Sequence, residues 1–401
     1  MSNMEKPLLV DELFKSRAPG VYRYEDFAPR PSEFSTGVPV FIGTVSNARK
    51  EALKQPLRLH VWPQFGERVL KNAREAPDGM LAYAVRGFFQ NDGRQCYVIP
   101  LDKTTETTLG EALEISASLD VDLVCVPDLT QVRPSSGAPD HSLEEMVVKH
   151  CEDHDRFAIL DSHQEATNDA VWQQWSDIDG KNGAIYYPWV KVRTFGVDGD
   201  TEDAIFVPPC GHIAGVFART DHERGVHKAP ANELLEGVLD LKRHLTSQDQ
   251  DYLNPKRVNC IRSFPGRGIR VWGARTLSGQ DEWTYVNVRR VFLTAVRWIH
   301  WHLSDVVFEP NDAQLCVRIE RELNLYLLGL FQQGALKGRD PREAFYVKCD
   351  AQTNPREIRD LGQVVTEIGL APSKPYEFVV VRLIHGLRGV SVSGPIRPEQ
   401  N

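Results

Sequence analysis

The sequence predicts a mixed α/β and α+β fold, with extended strand segments near both chain ends. Short apolar runs alternate with helical stretches between residues 80 and 195. The last third of the chain instead carries long amphipathic helices followed by strand-like runs. Alternation of the first kind is typical of a parallel sheet covered by helices, whereas segregation of the second kind is typical of α+β folds.

Several short apolar runs have the length and the continuous apolar character of central strands. The predicted strands are at residues 38–45, 95–99, 122–126, 156–160 and 184–192. The predicted helices between them are at residues 107–118, 142–153 and 167–178. The Gly-, Pro- and His-rich segment 196–230 is predicted to be a long ordered loop, and a helix is expected from Asn232.

The last third is predicted to hold three helices and a pair of strands. Apolar positions repeat at helical spacing in residues 284–303 and again in residues 310–334. A third helix is expected to run from Asn354, an N-cap followed by a proline at the first helical position, to Gly369. The two strands are predicted at residues 378–384 and 390–393.

Composition and charge exclude several classes of protein. Hydrophobic residues make up 41% and charged residues 25%, which is ordinary for a folded globular chain. Lysine and arginine total 47 against 55 acidic residues, a net charge of −8, so no nucleic acid partner is expected. No apolar stretch fits a signal peptide or a membrane span, which predicts no direct membrane insertion.

The seven cysteines occur singly, and none belongs to a C-x-x-C pair. They are Cys96, Cys125, Cys151, Cys210, Cys260, Cys316 and Cys349. An odd total at irregular spacing predicts reduced thiols in a cytoplasm and no disulfide framework.

An α/β unit also suggests an enzyme, because ligand sites of such sheets gather at strand ends. Asp128 and Asp161 each follow a predicted strand, but an acid there is also a common loop residue. No G-x-G-x-x-G, G-x-x-x-x-G-K-[ST] or G-x-S-x-G motif accompanies them. The glycines of segment 265–277 precede a strand-like run, which favours a packed turn over a phosphate loop. No catalytic residue and no cofactor is predicted.

Two groups of residues have some of the character of metal ligands. His150 and His154 have the i, i+4 spacing that can bind zinc, but the glutamate of an H-E-x-x-H motif is not in place. The second group comprises Cys210, His212, His222 and His227. Its spacing matches no closed zinc template, and a solvated or packed helix end is the favoured interpretation of the first group. No metal site is predicted.

Segment 265–277, PGRGIRVWGARTL, and segment 283–290, WTYVNVRR, resemble the signature of phage tail sheath proteins. Further motifs resemble the same family in the same order and extend the likeness over most of the chain. They are PGVY at 19–22, DRFAILD at 155–161, AIYYPW at 184–189, KAPAN at 228–232, FEPN at 308–311, GALKG at 334–338, and Cys349-Asp350 with Thr353-Asn354. The signature positions are Gly266, Gly268, Arg270, Trp272, Gly273, Arg275 and Thr276.

The resemblance implies a conserved sheath core formed by the N-terminal and C-terminal segments, with an α/β domain inserted between them. The implied divisions are an arm at 1–30, a first part of the core at 31–80, the inserted domain at 81–250, the C-terminal core at 251–374, and strands with an arm at 375–401. Such subunits polymerise as stacked hexameric rings around an inner tube, and the sleeve contracts to drive the tube into a cell envelope. The implied partners are further copies of the chain, the inner tube protein, and baseplate and terminal cap proteins.

Both chain ends are predicted to join neighbouring subunits. An extended segment and a strand pair each leave edges that they cannot pair alone, and each can add a strand to a neighbour's sheet. The predicted arm residues are Val21, Tyr22, Tyr24, Phe378, Val380, Val390 and Val392. The family's tube contact comes from the C-terminal domain, and the candidates for it here are Arg356, Glu357, Arg359 and Asp360.

Two functions stay open at this point. The first is a structural sheath subunit, assembled in a bacterial cytoplasm and then part of a phage tail or of a tail-like particle that can be released. The second is a soluble α/β enzyme with an unrecognised active site. The chain length is nearer to the compact sheaths of extracellular injection systems, but a phage, a defective prophage and a dedicated particle all remain open as its source.

Overall fold

The structure is a computed structural model that describes residues 34–73, 75–131, 142–176, 178–195, 203–303, 309–373, 379–386 and 389–393. Of the first of its two units, Met1–Ser35, only the last two residues are described, so the account below concerns the unit Thr36–Asn401. The predicted arm residues Val21, Tyr22, Tyr24 and Phe378 lie outside the described residues.

The described residues form sixteen strands and eleven α-helices. The strands are β1 (Pro39–Thr44), β2 (Leu57–Leu59), β3 (Cys96–Leu101), β4 (Leu123–Cys125), β5 (Phe157–Asp161), β6 (Gly183–Tyr187), β7 (Val190–Arg193), β8 (Ala204–Val207), β9 (Glu233–Leu234), β10 (Asp240–Leu241), β11 (Val258–Phe264), β12 (Gly268–Trp272), β13 (Phe345–Lys348), β14 (Val364–Leu370), β15 (Val379–Gly386) and β16 (Gly389–Ser393). The helices are α1 (Pro63–Val69), α2 (Met80–Gln90), α3 (Glu106–Ala117), α4 (Ser142–Asp153), α5 (Asn168–Trp175), α6 (Cys210–Arg224), α7 (Ser247–Leu253), α8 (Val286–His302), α9 (Ala313–Gln332), α10 (Pro341–Ala344) and α11 (Arg356–Asp360).

Three sheets organise these elements. The largest has nine strands in the order β2-β3-β1-β4-β5-β6-β11-β12-β9, and its six central strands, from β3 to β11, run parallel. A three-stranded sheet has the order β10-β7-β8, and an antiparallel four-stranded sheet has the order β13-β14-β15-β16. The mixed α/β and α+β fold expected from the sequence is therefore confirmed.

Alternate residues of the central strands point into two separate apolar cores. In β1, Phe41 belongs to one core, whereas Val40 and Ile42 belong to the other. All three are fully buried, as expected for a parallel strand covered by helices on both faces. This double burial explains why the central strands are short, continuous apolar runs in the sequence.

The nine-stranded sheet extends past both predicted limits of the α/β domain at 81–250. β1 and β2 precede the first limit, and β11 and β12 follow the second. β1 lies between β3 and β4, since its backbone pairs in parallel with both. The predicted N-terminal part of the core thus contributes the central strand β1 and the edge strand β2 to the same sheet as the α/β domain.

The prediction of a loop at 196–230 was wrong, because this segment contains β8 and the fifteen-residue helix α6. Glycines that suggested a loop are contact points in a close helix pair. A Cβ atom on Gly215 would lie 2.5 Å from Cβ of Asn91, at the end of α2, and Gly211 faces the backbone of Ala84 on that helix. Small residues let the two backbones approach, and α6 buries His212, Val216 and Phe217.

Two further helix predictions were also wrong. The segment from Asn232 forms the short strands β9 and β10, and the next helix, α7, begins at Ser247. The helix predicted from Asn354 to Gly369 ends at Asp360, and Gly362 then adopts a φ of 68°. The β-branched residues that follow form β14, which is paired on both sides by β13 and β15.

The four-stranded sheet packs against the long helices α8 and α9. Their apolar stripes bury Phe292, Ile299, Ile319 and Leu323 in one cluster with residues of β13 and β14. This is a third apolar core, separate from the two cores of the nine-stranded sheet. The strand predictions at 378–384 and 390–393 correspond to β15 and β16.

Candidate assembly site

The signature glycines form the turn between β11 and β12. Gly266 and Gly268 have φ values of 70° and 75°, the left-handed region that side chains disfavour. No atom lies within 4 Å of a Cβ placed on Gly266, so its requirement is conformational. A Cβ on Gly268 would lie 2.7 Å from Leu234 of β9, so that position also requires space.

The signature side chains Arg270 and Trp272 make contacts that fix the β11–β12 hairpin beside β9. Arg270 donates from Nε to the carbonyl of Arg267 at 3.0 Å and from Nη1 to the carbonyl of Asn232 at 2.7 Å. The ring of Trp272 packs against Phe264 across the hairpin, with centroids 4.5 Å apart. These side chains therefore secure the hairpin to the segment that leads into β9.

The second half of the signature turns the chain from the sheet towards α8. The fully buried Asn259 donates to the carbonyl of Arg275 at 2.8 Å and accepts from its N–H at 2.7 Å. A Cβ on Gly273 would lie 2.9 Å from Cα of Asn259, which leaves room only for glycine. Thr276 Oγ1 donates to the carbonyl of Trp283 at 2.5 Å and accepts from the N–H of Ser278 at 3.1 Å. Segment 265–277 is therefore a packed turn and not a phosphate loop, as predicted. This packed joint connects the nine-stranded sheet to α8.

A buried ionic cluster connects α8 to the nine-stranded sheet. Arg290 donates to both carboxylate oxygens of Asp221 on α6, at 2.8 and 2.5 Å, and to Asp122 at 3.0 Å. Asp122 also accepts the N–H groups of Gly37 and Val38, at 3.0 and 2.6 Å, at the start of β1. One guanidinium therefore joins the C-terminal helices to elements 69 and 168 residues away in sequence.

Burial and neighbouring charge have opposite effects on the pKa values of Arg290 and Asp221 in this cluster. Burial lowers the pKa of Arg290, but the two carboxylates raise it further, so its net pKa is above the ordinary value. Burial raises the pKa of Asp221, and the charge of Arg290 opposes that effect. Arg290 is part of the family motif at 283–290, but the sequence alone predicted no role for it. Arg290 is buried on the face of α8 that carries Val286 and Leu293, opposite the stripe of Phe292 and Ile299, so the periodicity of that stripe did not indicate its partners.

The four-stranded sheet has two edge strands, β13 and β16, and within the described part of the chain each pairs on one side only. β16 pairs with β15, from Arg382↔Ser393 to Gly386↔Gly389, and ends the strand order on that side. The predicted arm residue Val380 lies in β15, opposite Gly369 of β14. Val390 and Val392 lie in β16, opposite His385 and Leu383. Three predicted arm residues are thus on the two outermost strands at this edge.

The four candidate tube-contact residues lie on the short helix α11. Arg356, Glu357, Arg359 and Asp360 are all exposed. Arg356 Nε lies 3.5 Å from Asp360 Oδ2, and both side chains are more than two-thirds exposed. The helix therefore presents charges of both signs to solvent, next to the four-stranded sheet.

The two acids considered for catalysis bind backbone groups. Asp128 accepts from N and Oγ1 of Thr44, at 2.5 and 2.9 Å, where β1 ends. Asp161 accepts the N–H of Cys210 at 2.8 Å, where α6 begins. Burial raises the pKa of Asp161 to about 7, and its bond to Cys210 partly opposes that shift. Both acids stand at strand ends, as the sequence indicated.

The metal-ligand candidates are divided between separate places. His150 Nε2 lies 3.1 Å from Nη1 of the buried Arg156, and burial together with this cation lowers the pKa of His150 to about 3. Its ring is 4.6 Å from that of His154. Cys210, His212 and His222 lie along α6, and His227 follows it. Across the described ranges, no three His, Cys, Asp or Glu side chains are grouped closely enough to hold a metal ion.

None of the described helices has the length and apolar character that a membrane span needs.

A family model described as the phage tail sheath protein central domain matches residues 102–277. That range runs from the end of β3 to the end of the signature and includes the central strands β4, β5, β6 and β11.

Solved structures extend the likeness to almost the whole chain. A chain in the anti-feeding prophage baseplate, solved with 6-fold symmetry, is 32% identical with a TM-score of 0.71, and the match covers 91% of this chain and 98% of that one. A chain in the contracted helical sheath of the anti-feeding prophage is 31% identical, with a TM-score of 0.69 and the same coverage.

A curated relative agrees with these structures. The tail sheath protein of Vibrio phage KVP40 is 27% identical over 242 residues, which are 57% of this chain but only 35% of that protein. The chain therefore matches about a third of this longer relative and almost the full length of the solved chains. On this likeness, the chain belongs to the phage tail sheath family, the structural subunits of contractile sheaths.

Proposed function

We propose that the chain polymerises as stacked hexameric rings around an inner tube, and that this sleeve contracts to drive the tube into a target cell envelope. The observation that carries the proposal is the likeness, over 91% of the chain, to a contracted helical sheath. Head-to-tail contacts that do not close on one pair of subunits generate such rings and helices. Assembly takes place in the bacterial cytoplasm, and a baseplate and a terminal cap bound the sleeve.

The chain ends join the subunits by strand addition. β16 ends the four-stranded sheet in the described part of the chain, so its outer backbone groups can bond to a strand from another copy. The donor strand is proposed to come from a neighbour's terminal segment, either residues 1–30 or the part of 375–401 that follows β16. Backbone hydrogen bonds tether the copies while their bodies slide during contraction. The terminal segments and the C-terminal third form the conserved core of this lattice.

Contraction draws on free energy stored in the extended lattice. A contracted lattice that buries about 100 Å² more apolar surface per subunit gains about 2.5 kcal/mol per subunit. Summed over many subunits, this supplies the stroke without nucleotide hydrolysis. Calorimetry on purified extended particles, triggered to contract, is expected to show a heat that becomes more exothermic as temperature rises and scales with the number of subunits, because apolar burial has a negative heat-capacity change. Contraction with no change in heat at several temperatures would contradict this source.

The charges on α11 contact the inner tube. Exposed ion pairs contribute little in water, about 0 to 1 kcal/mol each, which suits a contact that must break during contraction. Reversal of Arg356 and Arg359 to Glu is expected to reduce co-purification with the tube protein. Arg339→Glu, an exposed charge reversal in the same C-terminal region, serves as the control. Unchanged tube binding by the double variant would reject the assignment.

The chain is not an enzyme in this proposal. Its relatives are structural sheath proteins, and Asp128 and Asp161 are used as acceptors for backbone N–H groups. Among the described residues, no geometric feature favours the alternative of a soluble α/β enzyme.

Co-expression with the tube protein tests the assembly. Negative-stain microscopy is expected to show long striated sleeves for the full chain and isolated particles for a variant that lacks residues 1–30 and 394–401 but keeps β15 and β16. The truncated variant should keep a cooperative unfolding transition, which separates loss of assembly from loss of folding. Full-length sleeves from the truncated variant would refute strand exchange.

A further inference from the structure

Two cysteines meet where α9 packs against the four-stranded sheet. The Nδ2 atom of Asn354 lies 3.7 Å from Sγ of Cys349 and 4.0 Å from Sγ of Cys316, so both sulfurs border the same amide group. Glu320, one helical turn beyond Cys316, accepts the backbone N–H of Cys349 at 2.8 Å. Asn354 is itself fixed by two hydrogen bonds to the backbone of Val365, at 2.9 and 2.6 Å. These contacts therefore place both thiols around one fixed amide group.

The two thiols differ in access and acidity. Cys316 is partly exposed on α9, whereas Cys349 is buried. Burial raises the pKa of Cys349 to about 12, and the adjacent Cys316 side chain adds to that rise. The other five cysteines are buried elsewhere in the fold. A dissolved oxidant therefore reaches Cys316 first, and Cys349 is the neighbour placed to complete the reaction.

We propose that Cys316 and Cys349 form an intramolecular disulfide when the chain meets a small-molecule disulfide such as oxidised glutathione. The Cys316 thiolate attacks one glutathione sulfur, which releases one glutathione thiolate and leaves a mixed disulfide. The Cys349 thiolate then attacks the Cys316 sulfur and releases the second glutathione. Two protein thiols are oxidised, one glutathione disulfide is reduced to two thiols, and two protons are lost from the protein. The bond ties α9 to the segment that follows β13.

The cross-link has a consequence for the sheet that carries the assembly edge. It closes a loop of 33 residue steps between α9 and the end of β13, which restricts the unfolded chain. The reduced form is made in a reducing cytoplasm, and the cross-linked form is expected in oxidising surroundings outside the cell. The expectation that the chain meets oxidising surroundings rests on the proposed function, whereas the disulfide exchange itself does not.

Peptide mapping of the purified full-length chain tests the bond. After oxidised glutathione treatment, digestion with trypsin under non-reducing conditions is expected to link peptide 298–318 to peptide 349–356. Each of these peptides contains one cysteine. The second step, attack of Cys349 on the mixed disulfide at Cys316, is followed after excess glutathione disulfide is removed. Because this attack requires the thiolate, its rate should rise about tenfold per pH unit from pH 7 to 9.

Two variants complete the test. Cys349→Ser is expected to stop at glutathione bound to Cys316, while Cys151→Ser, a buried cysteine in α4, should cross-link like the parent chain. If Cys349→Ser does not fold, the pH course of the parent chain still decides the question. The proposal is overturned if the parent chain keeps glutathione on Cys316 with Cys349 free, or if either cysteine links only to another residue or another molecule.

Discussion

Replacement of Arg290 by methionine removes the cation that bonds both Asp122 and Asp221 and keeps most of the side-chain volume. Asp122 and Asp221 are 6% and 8% exposed, so water cannot replace the lost charge. Removal of one partner of a buried ion pair typically costs about 3–5 kcal/mol, because an uncompensated charge stays buried. Arg290→Met is therefore expected to lower the free energy of unfolding by about that amount. The triple variant with Asp122→Asn and Asp221→Asn should recover much of the loss.

Urea unfolding at pH 7.5, followed by circular dichroism, measures this change as a lower midpoint. Arg289→Met is the matched control, since Arg289 is adjacent on α8 and bonds the neutral Asn182 at 2.7 Å. Its loss removes a hydrogen bond and a charge that acts on Asp155 and Glu152 without a direct ion pair, which predicts a smaller cost of about 1–3 kcal/mol. The deficit of Arg290→Met should also shrink as pH falls, because the carboxyl of Asp221, whose pKa burial raises, becomes protonated. An Arg290→Met deficit no larger than that of Arg289→Met, and independent of pH, would refute the reasoning.

Three further predictions concern stability and use the same unfolding assay. Gly215→Ala is expected to destabilise by about 1–3 kcal/mol because its Cβ meets Asn91, whereas Gly329→Ala, with open space at its Cβ, should stabilise by about 0.5–1 kcal/mol. Equal effects at the two positions would contradict close packing of α2 on α6. Gly273→Ala should cost about 1–3 kcal/mol through its contact with Asn259, and a neutral result would contradict the packed joint. The folded-state pKa of Asp161 is raised to about 7, so its contribution is fully present below its ordinary value of 3.8 and is lost as pH rises through 7. The stability of the parent chain relative to Asp161→Asn should therefore fall by up to about 4 kcal/mol between pH 4 and pH 8, and a flat difference would show that the carboxyl titrates normally.

The central strands could be predicted because burial on both faces makes each a continuous apolar run. β1 and β5 show this, and the helices α3 and α4 between such strands have clear amphipathic spacing. The order of the strands could not be read in the same way. Nothing in the local sequence places β1 between β3 and β4, because that position depends on contacts between distant segments.

Local sequence patterns gave wrong predictions where the tertiary contacts of a residue differ from the role that its pattern suggests. Asn354 was expected to cap a long helix, but its side chain bonds the backbone of Val365 in β14. The glycines of α6 suggested a loop, although close contact with α2 is what requires them. Arg290 and its acidic partners are too far apart in sequence for spacing to reveal their contact.

The central claim is that a strand from one copy completes the sheet of another. Cryo-electron microscopy of assembled sleeves tests it directly, by tracing the chain that lies along the outer edge of β16. We expect that strand to connect to a different subunit's body, through residues of its terminal segments. An outer edge of β16 that is unpaired, or paired by the same subunit, would contradict the claim.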